Sequence, residues 1–466
     1  MTSHDLVIIG SGPAGISAAL TASSLGLSAV LLDEQPRAGG QIYRNVDRVD
    51  PQVAAVLGSD YLHGRVLMGP LANSGVDVRY GTLVWDVAPD KTITALQAGR
   101  SFQMRAEQVI AATGAMERAS PIPGWTLPGV MNAGAAQIAL KSAGSVPSGR
   151  VVLAGGGPLL LLVACQLLEA GAYVAGIVET SPGANTWTAM RHFAAACRSP
   201  GPLFKGLRML RALRAAKLPW FTKATKLVAQ GSDRVSTLKF DAGGENHALD
   251  CDVLLLHHGV VPNTQMTRLL RVDHVWDDRQ LAWHPVTDAW GQTSLAGFRI
   301  AGDGANIAGA VAAEASGAIA AIGAAYALGR LTDAQRDLHA KPARRTLAKQ
   351  MRIRPFLDAL YRPPQWINTP SDDTVVCRCE EVTAGQVREM ARLGCRGPNQ
   401  TKFFSRCGMG PCQGRMCGLA VTQILAAELK LPPAQVGAYR IRAPLKPIAL
   451  ASLAAMAADN TTKEQT

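Results

Sequence analysis

The fold is decided by residues 5–20, Asp5-Leu-Val-Ile-Ile-Gly10-Ser-Gly12-Pro13-Ala14-Gly15-Ile-Ser-Ala-Ala-Leu20. The aliphatic run before the glycines predicts a buried strand, and the Ala-rich run after them predicts a helix. The first glycine makes the turn, the second lets a pyrophosphate touch the backbone, and the third lets the helix pack on the strand. The stretch therefore predicts a β–turn–α unit that binds a dinucleotide.

A second strand supports this prediction. The run Ala29-Val-Leu-Leu32 ends in Asp33-Glu34, close to the expected offset of about 20 residues after the glycines. One of the two carboxylates is expected to hold a ribose hydroxyl, and Asp33 is slightly preferred. The binding residues predicted in this unit are Gly10, Gly12, Pro13, Ala14, Gly15, Asp33 and Glu34.

Three further stretches resemble the thioredoxin- and glutathione-reductase-like flavoproteins. They are Pro36-Arg-Ala-Gly39-Gly40-Gln41-Ile-Tyr43, Val109-Ile-Ala-Ala-Thr113-Gly114 and Phe298-Arg-Ile-Ala-Gly302-Asp303-Gly-Ala-Asn-Ile-Ala-Gly309. In that family the first loop crosses near the flavin, the strand returns beneath the adenosine, and the aspartate of the last motif meets the ribityl chain. The resemblance implies that the dinucleotide is FAD and adds six residues to its site: Gly40, Gln41, Thr113, Gly114, Gly302 and Asp303.

A second glycine loop, Gly155-Gly-Gly157-Pro-Leu-Leu160, predicts an inserted NAD-like domain. Leu160 stands where the third glycine belongs, so close helix–strand packing is expected to be compromised there. Glu179 would suit an NAD ribose, and no arginine follows it to take a 2′-phosphate. NAD is therefore disfavoured, and a structural remnant or a differently bound nucleotide stays open.

Six of the nine cysteines lie in one short stretch, at positions 377, 379, 395, 407, 412 and 417. Such a density predicts an all-thiolate metal site, which favours an iron–sulfur cluster or zinc. Zinc usually takes C-x2-4-C pairs, whereas the first pair here is C-x-C. A helix is predicted over Glu380–Arg392, with Thr383 near its start. Cys165, Cys197 and Cys251 are expected to be core thiols.

The stretches Cys377-Arg-Cys-Glu-Glu-Val382 and Arg406-Cys-Gly-Met-Gly-Pro-Cys-Gln-Gly-Arg-Met-Cys417 resemble the bacterioferritin-associated-ferredoxin-like 2Fe-2S domain that ends several flavoprotein dehydrogenases. The resemblance implies the ligands Cys377, Cys379, Cys412 and Cys417. Cys407 is expected to be a non-ligand and is the main ambiguity, and the role of Cys395 is open. The cations expected to offset the charge of the cluster are Arg378, Lys402, Arg406 and Arg415.

The order of these parts resembles the α-type subunits of multimeric amine and opine dehydrogenases, such as those of opine oxidase, D-hydroxyproline dehydrogenase and hydrogen cyanide synthase. Ala112–Arg118 and Pro123–Val130 are especially similar to them. The predicted fold is α/β, with two Rossmann-like dinucleotide-binding domains and a small helical cysteine-cluster domain. The predicted ranges are 1–120 with 286–330 for FAD, 121–285 for the insert, 331–370 for a basic linker, 371–425 for the 2Fe-2S domain and 426–466 for a tail.

This resemblance implies an electron-transfer subunit. A partner, an amino-acid-oxidase-like flavoprotein subunit, would oxidise a C–N bond of an amino acid, opine or imino acid, and a small third subunit is also considered. This chain would pass the electrons to a respiratory acceptor. A self-contained NADH-dependent flavin and iron–sulfur reductase, and a non-redox module with zinc, stay open.

Composition excludes other classes. The net charge of +12 is partly concentrated in residues 341–362, but no aromatic reading motif accompanies the run, so nucleic acid is not expected. Neither a secretory signal nor a transmembrane helix is predicted, which favours the cytoplasm or, through partners, the inner face of the cytoplasmic membrane. No cysteine precedes Cys165, so a disulfide reductase is excluded. No catalytic acid, base or nucleophile stands out.

Overall fold

A computed structural model describes residues 2–463 and confirms the α/β class. In chain order the strands β1 to β21 are Thr2–Ile9, Ala29–Leu32, Asp77–Arg79, Thr82–Val87, Thr92–Gln97, Arg100–Ala111, Ala115–Glu117, Val130–Asn132, Val151–Gly155, Val174–Glu179, Trp220–Phe221, Thr225–Gln230, Thr237–Ala242, Glu245–Asp250, Val253–His257, Val260–Pro262, His274–Asp277, Ala282–Pro285, Phe298–Ile300, Val375–Cys377 and Val382–Thr383. The helices α1 to α17 are Pro13–Ser24, Pro51–Leu57, Ser59–Met68, Ala133–Ala143, Pro158–Glu169, Gly183–Met190, Phe193–Cys197, Pro200–Ala215, Gln265–Leu269, Ala310–Ala327, Asp333–Met351, Arg354–Leu360, Ala384–Arg392, Pro398–Ser405, Gly418–Leu429, Pro433–Val436 and Leu450–Lys463. Short 3-10 helices lie at Gly69–Asn73, Gln365–Asn368 and Gly302–Gly304.

The first sheet carries the predicted FAD motifs. Its parallel strands run in the order β3-β2-β1-β6-β19, and the hairpin β4–β5 adds to β6 in antiparallel fashion. Leu6, Val7 and Ile8 are fully buried because helices cover one face of β1 and further chain covers the other. The carboxyl ends of β1, β6 and β19 meet at one edge, which brings three motifs that are distant in sequence together.

The second sheet is also parallel, in the order β11-β10-β9-β15-β8, so its strands all lie between residues 130 and 257. The chain passes between the two sheets twice, and the short strands β7 and β16, one in each passage, pair with each other. The hairpin β17–β18, which falls inside the predicted range 121–285, lies outside this sheet. Its Trp276 and Trp283 pack with Leu419 of the C-terminal region.

Helix α10 is, among the described residues, the one that is long and apolar enough to cross a membrane by length and composition. However, 61% of it is buried inside the fold. It packs on α1 so closely that a Cβ at Gly317 would lie 2.0 Å from the carbonyl oxygen of Ala14. Helix α10 is therefore a core helix of the domain built on the first sheet, which we call the first unit; the domain built on the second sheet is the second unit.

The predicted basic linker is largely helical. Helix α11 begins with a capping box, in which Thr332 and Gln335 satisfy each other's backbone amides. The guanidinium groups of Arg336 and Arg344 lie 4.8 and 4.1 Å from the centre of the Trp290 ring. Part of the basic run therefore holds α11 against the first unit.

The C-terminal part of the chain, which contains the six clustered cysteines and which we call the cysteine region, packs against the second face of the first sheet. One continuous hydrophobic cluster contains Val7 and Val30 of that sheet together with Val376, Ile424 and Leu445. The helix predicted over 380–392 begins later, at Ala384, where Thr383 and Gln386 form a capping box. Helix α15 crosses the predicted boundary at 425, and residues 464–466 of the predicted tail lie outside the described residues.

Candidate functional site

A cavity of about 480 Å³ lies at the edge of the first sheet where β1, β6 and β19 end. All but one of the thirteen predicted cofactor residues line it: Gly10, Gly12, Pro13, Ala14, Asp33, Glu34, Gly40, Gln41, Thr113, Gly114, Gly302 and Asp303. No cysteine is found among the described residues that line this cavity. The predicted motifs are therefore brought together around one space.

Gly15 is the predicted residue that does not line the cavity, and its surroundings explain why it is glycine. A Cβ at this position would lie 1.7 Å from the carbonyl oxygen of Gly10. Real Cβ atoms do not approach a carbonyl oxygen so closely, so only glycine lets α1 start directly over the end of β1. Gly15 therefore allows the close packing of α1 on the end of β1, and this packing shapes the turn.

The two acidic residues after β2 have different surroundings. Asp33 is buried and accepts hydrogen bonds from the amide of Ser11 at 2.5 Å, its hydroxyl at 2.6 Å and the amide of Gln35 at 2.7 Å. Asp33 therefore ties the glycine turn to β2. Glu34 lies at the rim, where it pairs with Lys446.

Asp303 lies at the opposite part of the cavity, before α10. Its Oδ1 accepts hydrogen bonds from the amides of Ala308 at 2.9 Å and Gly309 at 3.1 Å. Burial raises the pKa of this carboxyl above its ordinary value, while those two amides act in the opposite direction. The first residue of α10, Ala310, also lines the cavity, so the helix N-terminus faces the space where an anionic group would be stabilised.

Residues outside the predicted motifs complete the cavity, and sequence reasoning missed them as part of it. They include the hairpin residues Thr82, Leu83 and Val84, the residues Arg44, Gln265 and Met266, and the C-terminal residues Arg415, Leu445 and Lys446. None of these positions belongs to a motif with fixed spacing to the glycine loop. Only the packing of the cysteine region on the first sheet brings Leu445 and Lys446 there.

The cysteine region gathers five of its six thiols. The Sγ atoms of Cys377, Cys407 and Cys417 all lie within 4.8 Å of one another, and all three residues are buried. Cys379 and Cys412 form a neighbouring pair. Cys407, predicted to be a non-ligand, is thus part of the most compact group of sulfurs.

The buried trio stabilises one thiolate. Hydrogen bonds from the thiols of Cys407 and Cys417 lower the pKa of Cys377 to about 2. The same contact with Cys377 raises the pKa of Cys407 to about 12 and that of Cys417 well above its ordinary range. Metal binding requires deprotonated thiols, so a group of this kind can supply thiolate ligands.

The cations predicted to surround the cysteines have separate partners. Arg406 pairs with Glu380 at 2.9 Å, and Lys402 lies 5.6 Å from the centre of the Tyr439 ring. The Tyr439 ring fills the loop between Cys412 and Cys417 so closely that a Cβ at Gly414 would lie 2.4 Å from it. Arg415 differs, because it lines the nucleotide cavity as well.

The stretches Ala112–Arg118 and Pro123–Val130, which resemble the α-type subunits most, make hydrogen bonds to distant parts of the chain through Arg118 and Trp125. The buried guanidinium of Arg118 donates to the carbonyl oxygens of His258 at 3.2 Å, Leu281 at 3.0 Å and Gln280 at 2.5 Å. The indole of Trp125 donates to the carbonyl oxygen of Val375 at 2.6 Å, two residues before Cys377. Its ring also lies 5.1 Å from the guanidinium of Arg378.

The second glycine loop has different surroundings from the first. The side chain of Leu160 is buried in the core of the second sheet. The start of α5 therefore has room for a side chain at the position where α1 has Gly15 and has no such room. The imidazole of His257 lies 3.4 Å from where a Cβ of Gly157 would be. It also contacts Glu117 at 2.5 Å, and Glu117 accepts a hydrogen bond from the amide of Gly134.

His258 is buried beside this pair. It contacts the hydroxyl of Ser120 at 2.9 Å. Burial, with smaller effects of His257 and Arg118, lowers its pKa to about 3, so its ring is neutral at physiological pH.

Comparison with known proteins agrees with this geometry. The pyridine nucleotide-disulphide oxidoreductase family matches residues 4–317, and the sarcosine oxidase A3 domain matches residues 372–458. An opine oxidase subunit of Rhizobium meliloti is 43% identical over 97% of this chain and 87% of its own length. Hydrogen cyanide synthase subunit HcnB of Pseudomonas protegens is 32% identical over 95% of this chain and 96% of its own length.

Among solved structures, the L-proline dehydrogenase from P. horikoshii superimposes with a TM-score of 0.72 at 19% identity, over 97% of this chain and 79% of that one. This likeness concerns the fold alone. The extent of the sequence matches confirms the predicted resemblance and shows an oxidoreductase. The chain belongs to the FAD-dependent pyridine nucleotide-disulphide oxidoreductase family, in the group of α-type subunits of multi-subunit enzymes that includes those of the opine oxidases.

Proposed function

We propose that this chain is the FAD- and 2Fe-2S-containing electron-transfer subunit of a multi-subunit dehydrogenase or oxidase that acts on a C–N bond. One observation carries the proposal: Arg415 lies between Cys412 and Cys417 and also lines the nucleotide cavity. Arg415 therefore borders both candidate redox sites. Electron transfer needs such proximity, whereas a purely structural module does not.

The residues of the cavity fit FAD. Gly12 and Gly40 both line it, and their backbones pack on each other so closely that a Cβ at Gly40 would lie 2.8 Å from the Cα of Gly12. Bare backbone at these two glycines would let a pyrophosphate approach the chain. Asp303 and the start of α10 would face the ribityl and phosphate part, and Asp33 with Glu34 the ribose.

The cysteines fit a 2Fe-2S cluster, with Cys377, Cys379, Cys412 and Cys417 as the proposed ligands. Thiolates are the donors that such clusters take. Cys407 contacts Cys377 and Cys417, and we assign it the role of a neighbour that does not bind the cluster. When both groups are bound, they supply the conversion of a two-electron input into single-electron steps.

The partner would carry the substrate site. Two of the relatives are named as subunits of an opine oxidase and of a hydrogen cyanide synthase. By this likeness the partner of this chain is an amino-acid-oxidase-like flavoprotein subunit, with a small third subunit as a further component. Its substrate would be an opine, amino acid or imino acid, and the acceptor a respiratory carrier reached from the cytoplasm.

The test is spectroscopic. The anaerobically purified chain is examined by visible absorption and electron paramagnetic resonance before and after NADH, with dithionite as the reductant control. Flavin bands and a reduced 2Fe-2S signal that needs dithionite support the relay subunit. Reduction by NADH would instead make the chain a self-contained reductase, and a colourless protein that contains zinc would contradict both redox assignments.

Two matched serine variants test the ligand set. Cys412→Ser should abolish the iron signal, whereas Cys407→Ser should keep it. Cys251→Ser, a buried thiol in the second unit, is the control for the loss of a core cysteine. Loss of iron in Cys407→Ser together with its retention in Cys412→Ser would reverse the assignment.

A further inference from the structure

Residues 443–446, which we call the strap, run from the cysteine region to the nucleotide cavity. The amide of Leu445 donates to the carbonyl oxygen of Trp85 in β4 at 2.7 Å. Leu445 is buried, and both Leu445 and Lys446 line the cavity. The strap is therefore one wall of the predicted FAD site.

The outer end of the strap reaches the acidic residues after β2. The ammonium group of Lys446 pairs with the carboxylate of Glu34. Both side chains are more than a third exposed, so the pair adds at most about 1 kcal/mol to folding stability. Its importance is positional, because it holds a cation at the rim of the cavity.

The inner end of the strap is held by the cysteine loop. The side-chain amide of Gln413 donates to the carbonyl oxygen of Pro444, and the guanidinium of Arg415 donates to that of Leu445 at 3.4 Å. Both side chains come from the short loop between Cys412 and Cys417. A change in the backbone of this loop therefore moves the two groups that position the strap.

Groups of both signs line the cavity, and the acids are Asp33, Glu34 and Asp303. Among the described residues that line the cavity, the cations are Arg44, Arg415 and Lys446. Two of these three come from the C-terminal region. A dinucleotide carries two phosphate charges, and cations near it lower the free energy of the bound state.

We propose that the strap is part of the nucleotide site and makes the affinity for FAD depend on the cysteine loop. This inference rests on the proposed function, since it takes FAD as the occupant of the cavity. Lys446 and Arg415 are positioning and binding residues for the cofactor. In this way the affinity of the cavity for FAD depends on the conformation of the loop between Cys412 and Cys417.

The first measurement is a titration of FAD into the flavin-depleted full chain, followed by quenching of flavin fluorescence. Lys446→Ala should raise the dissociation constant about 5- to 10-fold, which is the effect of losing one modest charge contact. Lys226→Ala is the matched control, because Lys226 forms a similar exposed ion pair with Asp241 at 2.7 Å, remote from the cavity. It should leave the dissociation constant unchanged.

The dependence on the cysteine loop is tested with a double-mutant cycle. Cys412→Ser should also weaken FAD binding, and adding Lys446→Ala to it should have less than the full further effect, because both changes act through the strap. Fully additive effects would overturn the link to the cysteine loop. Equal affinities of wild type and Lys446→Ala would overturn the strap as part of the site, whereas failure of wild type to bind FAD would instead refute the proposed function.

Discussion

Gly12→Ala should lower the affinity for FAD while leaving the fold of the protein without cofactor almost unchanged. The backbone of Gly12 has φ −74° and ψ −175°, which alanine adopts without strain. The nearest heavy atom to an added Cβ, apart from its chain neighbours, is the Cα of Gly40 at 3.9 Å. That distance is ordinary van der Waals contact, so the chain itself has room for the methyl group.

The free energies follow from this geometry. Alanine restricts the unfolded chain, which stabilises by about 0.4–1 kcal/mol, but it is a poorer N-cap than glycine for α1, which offsets that gain. The free energy of unfolding should therefore change by less than about 1 kcal/mol. With FAD bound as proposed, the methyl group would crowd the pyrophosphate that the second glycine of the loop admits, and overpacking of this kind costs about 1–3 kcal/mol. The dissociation constant should rise about 5- to 150-fold.

Two other glycines provide the comparison. A Cβ at Gly15 would lie 1.7 Å from the carbonyl oxygen of Gly10, so Gly15→Ala should destabilise the fold itself by several kcal/mol. Gly206, in α8, has no such neighbour within 4 Å, so Gly206→Ala should keep the wild-type affinity and raise the free energy of unfolding by about 0.5–1 kcal/mol, and it is the control for a methyl group added without a clash. The assay combines FAD titration with urea denaturation of the flavin-depleted chain. Wild-type affinity in Gly12→Ala, or a loss of stability equal to that of Gly15→Ala, would refute the reasoning.

Three further predictions concern the contacts between the units. Arg118→Met should lower the free energy of unfolding by about 2–4 kcal/mol in urea denaturation, because three carbonyl oxygens, two of them in buried contacts, lose a charged donor, whereas the exposed control Arg279→Met should change it little. Burial lowers the pKa of His258 to about 3, so the contribution of the neutral ring to stability is fully present above pH 6.5 and is lost as the pH falls towards 3. Between pH 7.5 and pH 5 the free energy of unfolding should therefore fall by about 2 kcal/mol less in His258→Asn than in wild type. Parallel pH profiles of the two proteins would contradict this. Trp125→Phe removes the donor to Val375 and should lower the free energy of unfolding by about 1 kcal/mol in urea denaturation; with the proposed cluster bound, iron should also be lost at a lower urea concentration, and unchanged stability would show that this contact does not hold the cysteine strand.

The glycine loop illustrates what local rules predict well. A strand, a turn and a helix in immediate succession leave one backbone geometry, so separate roles for Gly10, Gly12 and Gly15 follow from their spacing alone. The preference for Asp33 over Glu34 is weaker at the level of sequence, since both residues follow β2. The structure separates them, because Asp33 is buried against Ser11 and Glu34 lies at the rim with Lys446.

The cysteines show where such rules end. The spacing of the six thiols predicts a metal site, but it does not tell which sulfurs approach one another. The trio of Cys377, Cys407 and Cys417 depends on how the turns after β20 and α14 fold around the Tyr439 ring. The ligand set therefore stays a prediction, with the serine variants as its test.

Local sequence was enough to predict the two β–turn–α units and the presence of a thiol-rich stretch, because each depends on residues that are close along the chain, whereas FAD as the cofactor was implied by the resemblance of three separate motifs to a flavoprotein family. The packing of distant segments places Arg415, Leu445 and Lys446 in the nucleotide cavity. These residues are separated from Glu34 by several hundred positions, and no local pattern connects them. They meet because the apolar face of the first sheet is covered by the hydrophobic core of the cysteine region, and the burial of that shared surface fixes where the C-terminal chain must cross.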